Sequence, residues 1–221
     1  SRQATSRKRQ LEKLTLEDIR PSSRKYPFVV FKPEREVGDQ LLRVENLSKT
    51  INGVKVLDNV SFTLRKGAKV VFVGDSEISV TALLAILADE AKPDSGTITW
   101  GVTTSRSYFP NDSAPYFKGS ENHTLIDWLR RYSHDQNENF VRGFLGRMLF
   151  SGEEATKKTS VLSGGERVRC MLSRMMLTQA NVLILDGPTN HLDLESITAV
   201  NNALTKFPGS VLFSSHDQQF I

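Results

Sequence analysis

An apolar segment that ends in a carboxylate is the first sign of chemistry in the chain. Residues 182–185 read Val-Leu-Ile-Leu and lead directly into Asp186, as a buried parallel strand does when it delivers an acid to the ligand-binding edge of a sheet. In phosphate-handling sites such an aspartate holds Mg²⁺. The next apolar segment also ends in polar residues, Ser214-Ser215-His216. One such strand end alone is compatible with a structural role, but two favour a site at this edge.

The segment Leu162-Ser163-Gly164-Gly165-Glu166 offers a second kind of chemistry. Ser163 and Glu166 have the spacing of a capping box, which begins a helix. The two glycines leave backbone N–H groups open, and a helix N-terminus with free N–H groups attracts phosphate. Because Ser-x-x-Glu is common, a plain helix cap is the alternative when this motif is considered alone.

A strand–loop–helix pattern typical of phosphate loops precedes both motifs. The strand runs into Gly74, and a helix is predicted from Thr81. The motif Gly-x-x-x-x-Gly-Lys-Ser/Thr is matched only at these two residues, because Ser79 stands at the second glycine and Val80 at the lysine. The architecture therefore fits a phosphate loop and the residue pattern does not.

Strands that alternate with helices are expected to position these residues. The predicted strands are 41–45, 54–64, 68–73, 96–100, 107–109, 182–185 and 210–213, and the predicted helices are 81–87, 123–150, 163–177 and 193–207. The first two strands flank Asn52-Gly53, a strong hairpin signal. The alternation indicates an α/β fold with a parallel sheet covered on both faces.

The chain begins with a basic arm. Residues 1–25 contain eight lysines and arginines but three acids, and apolar residues at helical spacing predict an amphipathic helix over residues 3–19. Residues 28–31, Phe-Val-Val-Phe, are predicted to form a docking strand or an extended linker. Basic arms often meet nucleic acid or anionic membranes, and the alternative is a solvated helix end.

Composition narrows the class of protein. The 221 residues, 38% of them hydrophobic, suffice for one sizeable domain with a buried core. The single cysteine, Cys170, excludes an intrachain disulfide and a cysteine-rich zinc module. No apolar run approaches the ~18 residues of a membrane span. We therefore expect a soluble protein of a reducing compartment, and the missing initial Met suggests a piece of a longer chain.

Together, residues 162–166 and the run Leu-Asp-Gly-Pro-Thr-Asn-His-Leu-Asp at 185–193 resemble the signature, Walker B and D-loop motifs of ATP-binding-cassette (ABC) ATPases. The Asn-His-Leu-Asp ending is typical of the ABC-F subfamily, soluble proteins with two cassettes on one chain that act on ribosomes. The resemblance implies an ABC-type nucleotide-binding domain, a P-loop NTPase fold with a β subdomain and a small helical subdomain. Residues 1–40 would be the end of a basic interdomain linker, and residues 41–221 a second cassette truncated at its C-terminus.

The same resemblance implies ligands, partners and roles. The ligands are ATP and Mg²⁺. The partners are the first cassette of the same chain and the ribosome, whose rRNA or tRNA the basic arm would contact. The location would be the cytoplasm. The loop residues would wrap the phosphates: Gly74, Asp75, Ser76, Glu77, Ile78, Ser79, Val80 and Thr81. Thr81 and Asp186 would hold Mg²⁺. The other nucleotide contacts would be Asn111 in the Q-loop, Ser163, Gly164, Gly165 and Glu166 in the signature, and Asp193 in the D-loop. The residues implied in catalysis are Asp186, Ser163 and His216, the switch histidine.

Five positions depart from the family pattern, and all fall in the site that this cassette builds for itself. Val80 replaces the lysine that balances phosphate charge, and Ser79 replaces a glycine of the loop. Gly187 replaces the glutamate that polarises the attacking water. Asn111 is shorter than the usual glutamine. Ile51 stands near the position usually held by the aromatic residue that stacks on adenine. The signature and D-loop, which serve the partner cassette, keep their pattern.

Three functions are weighed. The first is an ABC-F ATPase cassette acting in translation, the second an ATP-binding subunit of a membrane transporter, and the third a regulatory cassette without turnover. The basic arm, the form of the D-loop and the short stretch between Asn111 and Ser163 favour the first. Val80 and Gly187 support the third. We expect the full-length protein to hydrolyse ATP and the isolated chain to be weak or inactive.

Overall fold

The structure is a computed structural model that describes residues 26–214. The predicted helix over residues 3–19 and most of the basic arm lie outside the described residues, and so does His216. Within residues 26–214, no helix is long and apolar enough to cross a membrane.

The strands of the described region form two sheets. Their bounds are β1 (Gln40–Ile51), β2 (Val54–Arg65), β3 (Lys69–Val71), β4 (Ser95–Trp100), β5 (Arg106–Phe109), β6 (Val182–Asp186) and β7 (Ser210–Ser214). Three form an antiparallel sheet in the order β2-β1-β4, and four form a parallel sheet in the order β3-β7-β6-β5. The predicted alternation therefore does produce a parallel sheet.

The first hairpin follows the sequence signal at its turn. Asn52 and Gly53 have φ angles of 51° and 79°, which the tight turn of an Asn-Gly pair requires. The structure extends β1 well beyond the predicted strand 41–45. Asn46, at φ 50°, lies at an irregularity in the β1–β2 register and allows the strand to continue through its polar residues.

Helices cover the parallel sheet. They are α1 (Glu77–Leu87), α2 (Ala114–Phe117), α3 (Leu125–Arg130), α4 (Glu138–Arg147), α5 (Gly164–Thr178) and α6 (Leu194–Lys206), with 3₁₀ turns at Gly152–Thr156 and Thr159–Val161. The prediction of one helix over residues 123–150 is wrong, because a polar run separates α3 from α4. The Ser133 hydroxyl donates to the Asp135 carbonyl (2.6 Å), and the Asn137 side chain accepts from the Asn139 N–H (2.9 Å). Such local bonds compete with a continuous helix.

The parallel sheet contributes to two apolar clusters. One lies between the antiparallel sheet, α1 and the parallel sheet, and includes Leu84 and Ile184. The other lies among the helices on the opposite face and includes Trp128, Met171 and Leu183. Neighbouring residues of β6 thus point into different clusters, as expected for a strand buried on both faces. This arrangement confirms the predicted α/β class.

Residues 26–35, here called the strap, lie along the helical layer and form no strand. Phe31 is buried in the helical cluster. The Phe28 N–H donates to the Arg147 carbonyl at the end of α4 (2.7 Å), and the Glu34 N–H donates to the Gln179 carbonyl beyond α5 (2.9 Å). Of the two alternatives for residues 28–31, the docking strand is not formed, although the segment does dock on the body.

Candidate functional site

The carboxyl ends of the parallel strands surround a cavity of about 310 Å³, here called the strand-end cavity. Parallel strands place the residues that follow them at one edge of the sheet, which explains why distant parts of the sequence meet here. The lining residues are Phe72, Val73, Gly74, Asp75, Ser76, Glu77, Val80, Thr81, Asn111, Asp186, Gly187, Asn190 and Ser214. The structure thus brings most of the predicted loop together with Asn111 and Asp186. Ser79 and Ile78 do not line this cavity.

Asp186 forms the buried base of the cavity. Only 4% of the residue is exposed. Its Oδ1 accepts a hydrogen bond from the Ser214 hydroxyl (2.6 Å), and the Ser214 oxygen in turn accepts from the Gly187 N–H (3.0 Å). Its Oδ2 is buried without a hydrogen-bond partner among the described residues. Burial and the charge of Asp186 raise the pKa of the neighbouring Tyr108, which therefore remains neutral near Asp186.

Ser214 is the orienting residue to which sequence analysis gave no role. The signal was present, because Ser214 is a polar residue at the end of an apolar strand. Pairing of β6 with β7 places it directly opposite Asp186.

The loop between β3 and α1 is shorter than the sequence pattern predicts. Helix α1 begins at Glu77 rather than at Thr81, so the predicted helix start is wrong. Ser76 is the N-cap: its hydroxyl accepts from the Ile78 N–H (3.2 Å), and its carbonyl accepts from the N–H groups of Ser79 (3.2 Å) and Val80 (3.4 Å). Three N–H groups in the first turn of α1 are therefore hydrogen-bonded within the protein.

The physical reason is a strong local cap. A serine followed by an acid in the first turn favours a helix start. Ser79 gives the chain no glycine with which to avoid helical geometry at that point. Val80 also packs on the loop, because a Cβ built on Gly74 would lie 3.2 Å from a Val80 methyl group.

The turn after Asp186 leaves no room for a side chain at Gly187. Gly187 has a φ of +61°, and a Cβ added there would lie 2.6 Å from Asn190 Nδ2. The Asn190 N–H donates to the Gly187 carbonyl (3.1 Å), which closes the turn. The Asn190 side chain thus stands beside the position from which a glutamate at 187 would begin.

The signature residues lie outside the strand-end cavity, at the N-terminus of α5. Ser163 is the N-cap, and the predicted capping box is present: the Glu166 N–H donates to Ser163 Oγ (3.2 Å), and the Ser163 N–H donates to Glu166 Oε2 (2.8 Å). Lys157 Nζ lies 3.0 Å from Glu166 Oε1. Burial alone would raise the pKa of Glu166, but the Ser163 N–H and Lys157 lower it. The carboxylate is therefore held ionised.

The D-loop packs directly on this helix start. A Cβ on Gly165 would lie 2.8 Å from the His191 carbonyl, whereas one on Gly164 would lie 3.5 Å from the His191 ring. His191 has a φ of 64°. Asp193 caps α6, and its Oδ1 accepts from the Ser196 N–H (2.8 Å), which lowers the pKa of Asp193. Residues 187–193 therefore link the strand-end cavity to the signature.

Ile51 lines a second cavity of about 320 Å³ beside α1, here called the adjoining cavity. Its walls are mainly apolar, with Ile78 and Ala82 of α1 facing Ile51 of β1. The two cavities share Glu77, Thr81 and Asn111 as lining residues.

Comparison with known proteins identifies the family. Residues 57–190, more than half of the chain, match the ABC transporter family. The chain belongs to this family. A dimeric structure of the ATP-binding cassette MJ0796 in a post-hydrolysis state, bound to ADP and Pi, superimposes with a TM-score of 0.66 at 16% identity, over 81% of this chain and 90% of that one. The fold is therefore that of an ABC nucleotide-binding domain.

Two curated relatives are longer than this cassette. YkpA of Bacillus subtilis, described as an ABC transporter ATP-binding protein, is 64% identical over 222 residues, which cover 100% of this chain and 41% of that protein. EttA of Escherichia coli K12, described as an energy-dependent translational throttle protein, is 34% identical over 195 residues, which cover 86% of this chain and 34% of that protein. The chain thus spans well under half the length of either relative.

ABC cassettes bind ATP with Mg²⁺ and generally hydrolyse it, and this cassette fits the two ligands unequally. The unpartnered Oδ2 of Asp186 suits a cation. The triphosphate is poorly matched, because Ser76 accepts from three N–H groups in the first turn of α1 and the Glu77 carboxylate lines the same cavity. Among residues 26–214, no cluster of three His, Cys, Asp or Glu residues is arranged to hold a metal ion.

Proposed function

We propose that residues 41–221 are the second cassette of an ABC-F ATPase that acts on translating ribosomes, and that this cassette supplies the signature for the nucleotide site of the first cassette. The likeness to EttA supports the translational role, and the greater length of both relatives leaves room for a first cassette. Residues 1–40 would then be the end of the interdomain linker, whose basic part meets rRNA or tRNA in the cytoplasm.

One observation carries the proposal: the N-terminus of α5 is exposed and has donors to spare. Ser163 Oγ accepts the Glu166 N–H, so its own proton is free to be donated. In an α-helix the first N–H groups have no partner within the helix, which here concerns Gly164 and Gly165. The bonds from Ser163 N–H and Lys157 turn the Glu166 carboxylate back onto the protein, so that charge is partly neutralised where a phosphate would approach.

These donors are suited to a phosphoryl group that develops negative charge. Bound ATP supplies the transferable γ-phosphoryl group, and the chain's own part is to hold Ser163 O–H and two backbone N–H groups in a fixed direction before the reaction. The helix dipole adds a partial positive charge at the same point. The close approach of Gly165 to the His191 carbonyl holds the D-loop against the helix start that carries these donors.

Co-sedimentation of the full-length protein tests the ribosomal role. We expect wild-type protein to pellet with ribosomes at low salt, and the triple variant Arg7→Ala, Lys8→Ala, Arg9→Ala to bind more weakly with a shallower salt dependence. The matched control removes three exposed body charges, Lys55, Lys66 and Lys92, and should bind as wild type does. Recovery with membranes instead would support the transporter alternative.

A further inference from the structure

Exposed aromatic side chains are grouped where the strap meets α4. Tyr26 and Phe28 of the strap are 56% and 59% exposed, and Phe140 of α4 is 41% exposed. They are the most exposed aromatic side chains of residues 26–214. Rings of this size are ordinarily buried, and exposed apolar groups that lie together mark an interaction surface.

These rings are held in place by an arginine. The Arg147 guanidinium lies over the ring of Phe144, 4.6 Å from its centre, and over the ring of Phe28, at 5.9 Å. The rings of Phe140 and Phe144 meet edge to face with their centres 5.2 Å apart. The Phe28 N–H donates to the Arg147 carbonyl (2.7 Å), which fixes the strap against α4. The row Phe140, Phe144, Arg147 and Phe28 is here called the ring patch.

Two glycines of α4 leave the helix surface beside the ring patch bare. Gly143 and Gly146 are exposed, and a Cβ added at either would meet nothing within 4 Å. Glycine in a helix is less stable than alanine, and no neighbour in the described part of the chain requires it here. Gly143 shares the helix face of Phe140 and Arg147, at spacings of three and four residues. A helix surface without side chains allows a flat ligand to approach the backbone closely.

The charge around the ring patch is positive. None of the ion pairs among the described residues includes Arg147. Glu138, the acid of α4, is paired with Arg142 (2.8 Å) and Arg130 (3.6 Å) instead. Residues 20–25, which directly precede the strap in sequence, contain three basic residues and no acid. Exposed rings beside unpaired positive charge suit a ligand that has both flat bases and phosphates.

We propose that the ring patch binds unpaired bases of single-stranded RNA. Bases stack on Phe28 and Phe140, and the guanidinium of Arg147 donates to a phosphate or to a base edge between them. Bases in a duplex are already stacked and paired, so the patch distinguishes single strands from double strands. An apolar protein helix would leave the Arg147 donors without acceptors. This assignment rests on the proposed function and extends it, since the basic arm supplies the salt-dependent contacts and the ring patch the preference for unpaired RNA.

Fluorescence anisotropy of the full-length protein tests this assignment with two probes, a short labelled RNA without secondary structure and its duplex with the complementary strand. We expect the wild type to prefer the single strand. Phe28→Ala and Phe140→Ala should each weaken single-strand binding at least about fivefold, the loss of one stacked base. Neither should change the salt dependence, because no charge is removed. Val54→Ala is the matched control: Val54 is an exposed apolar residue (64%) of the first hairpin, and its loss should leave binding unchanged.

Two further substitutions at position 28 separate stacking from general apolar contact. Phe28→Trp keeps a flat ring and should bind single strands as well as the wild type does, whereas Phe28→Leu keeps apolar area without a ring and should bind as weakly as Phe28→Ala. The proposal is overturned if Phe28→Leu binds as the wild type does, or if the duplex binds as tightly as the single strand.

Urea unfolding and sedimentation of the same variants identify other occupants of the ring patch. If Phe28→Ala and Phe140→Ala lower the free energy of unfolding or change the oligomeric state while RNA binding stays unchanged, another part of the protein or a second copy covers the rings, and the proposal is wrong. Pelleting with ribosomes is measured separately. Wild-type protein that pellets with ribosomes but ignores single-stranded RNA would contradict the ring patch alone, whereas failure to pellet would contradict the proposed function.

Discussion

At the scale of single residues, the backbone at Gly187 has no room for the glutamate that the family pattern has at this position. The turn after β6 uses a positive φ at Gly187 and places the Asn190 side chain against it. Restoring a carboxylate therefore requires a different turn as well as a different side chain.

We predict that Gly187→Glu lowers stability and restores no hydrolysis at this site. The left-handed φ alone costs about 1–2 kcal/mol, and the contact with Asn190 adds to it. Chemical denaturation measures the loss. Gly53→Glu is the matched control, because Gly53 also has a positive φ of +79° but has nothing within 4 Å of the added Cβ. Adding Asn190→Ala should recover only the excess over that control. Equal losses in the two single variants would show that Asn190 does not block the position.

The neighbouring glycines of the signature form a second matched pair. A Cβ at position 165 meets the His191 carbonyl at 2.8 Å, whereas one at position 164 makes ordinary contacts at 3.5 Å. We predict that Gly165→Ala destabilises the chain by roughly 1–3 kcal/mol, as overpacking does, and that Gly164→Ala is close to neutral. Thermal unfolding of the two variants side by side checks this. A larger effect at position 164 would mean that the D-loop does not rest on the helix start.

At the scale of elements, the strap and α5 are joined at the end of the helix remote from the signature. The 15 residues of α5 span roughly 22 Å at 1.5 Å per residue. Ser163 is at one end, and Gln179, which accepts the Glu34 N–H, follows the other. The edge-to-face contact between Phe31 and Phe207, 6.3 Å between ring centres, also ties the strap to the end of α6.

We predict that Phe31→Ala costs about 3 kcal/mol or more, the usual range for a buried phenylalanine. Phe31 is 5% exposed. Phe28→Ala, three residues away, is the control: Phe28 is 59% exposed, and exposed substitutions usually change stability by no more than about 0.5 kcal/mol. Urea unfolding distinguishes them. Similarly small losses in the free energy of unfolding for both variants would show that the strap does not stabilise the body.

The elements also show what sequence can and cannot predict here. Apolar runs with polar ends give both the strands and their edge, and so predict Asp186 there. Asn111 was expected at the site only from the family resemblance, and it lines the same cavity as Asp186. The start of α1 is mispredicted because the family pattern extends the loop to Thr81, although the local signal, Ser76 before Glu77, was visible. The turn at Gly187 has no such signal, because its conformation depends on a side chain three residues later and on the strand opposite.

At the scale of the whole molecule, the cassette is asymmetric. Its own loop is closed by the Ser76 cap and lined by acids, whereas the start of α5 is exposed and keeps three donors. Cassettes that pair head to tail build each nucleotide site from the loop of one and the signature of the other. If this cassette pairs in that way with a first cassette, we expect one working site in the pair, the one that its signature would complete.

We predict that Ser163→Arg nearly abolishes ATP hydrolysis by the full-length protein, because losing one preorganised donor costs on the order of 10²-fold in rate and the arginine also fills the pocket. Losing the N-cap costs about 1 kcal/mol of stability, so a second variant is needed. Ser163→Asp keeps a capping oxygen but sets a negative charge against the phosphate, and should remain folded and inactive. Ser151→Arg, at another exposed serine of the helical layer, should retain activity. His216, the switch histidine by the family resemblance, would serve this cassette's own site, so His216→Ala should cost far less. If His216→Ala were the more damaging change, the working site would be the one in this chain, and the argument from Ser76, Glu77 and Gly187 would fail.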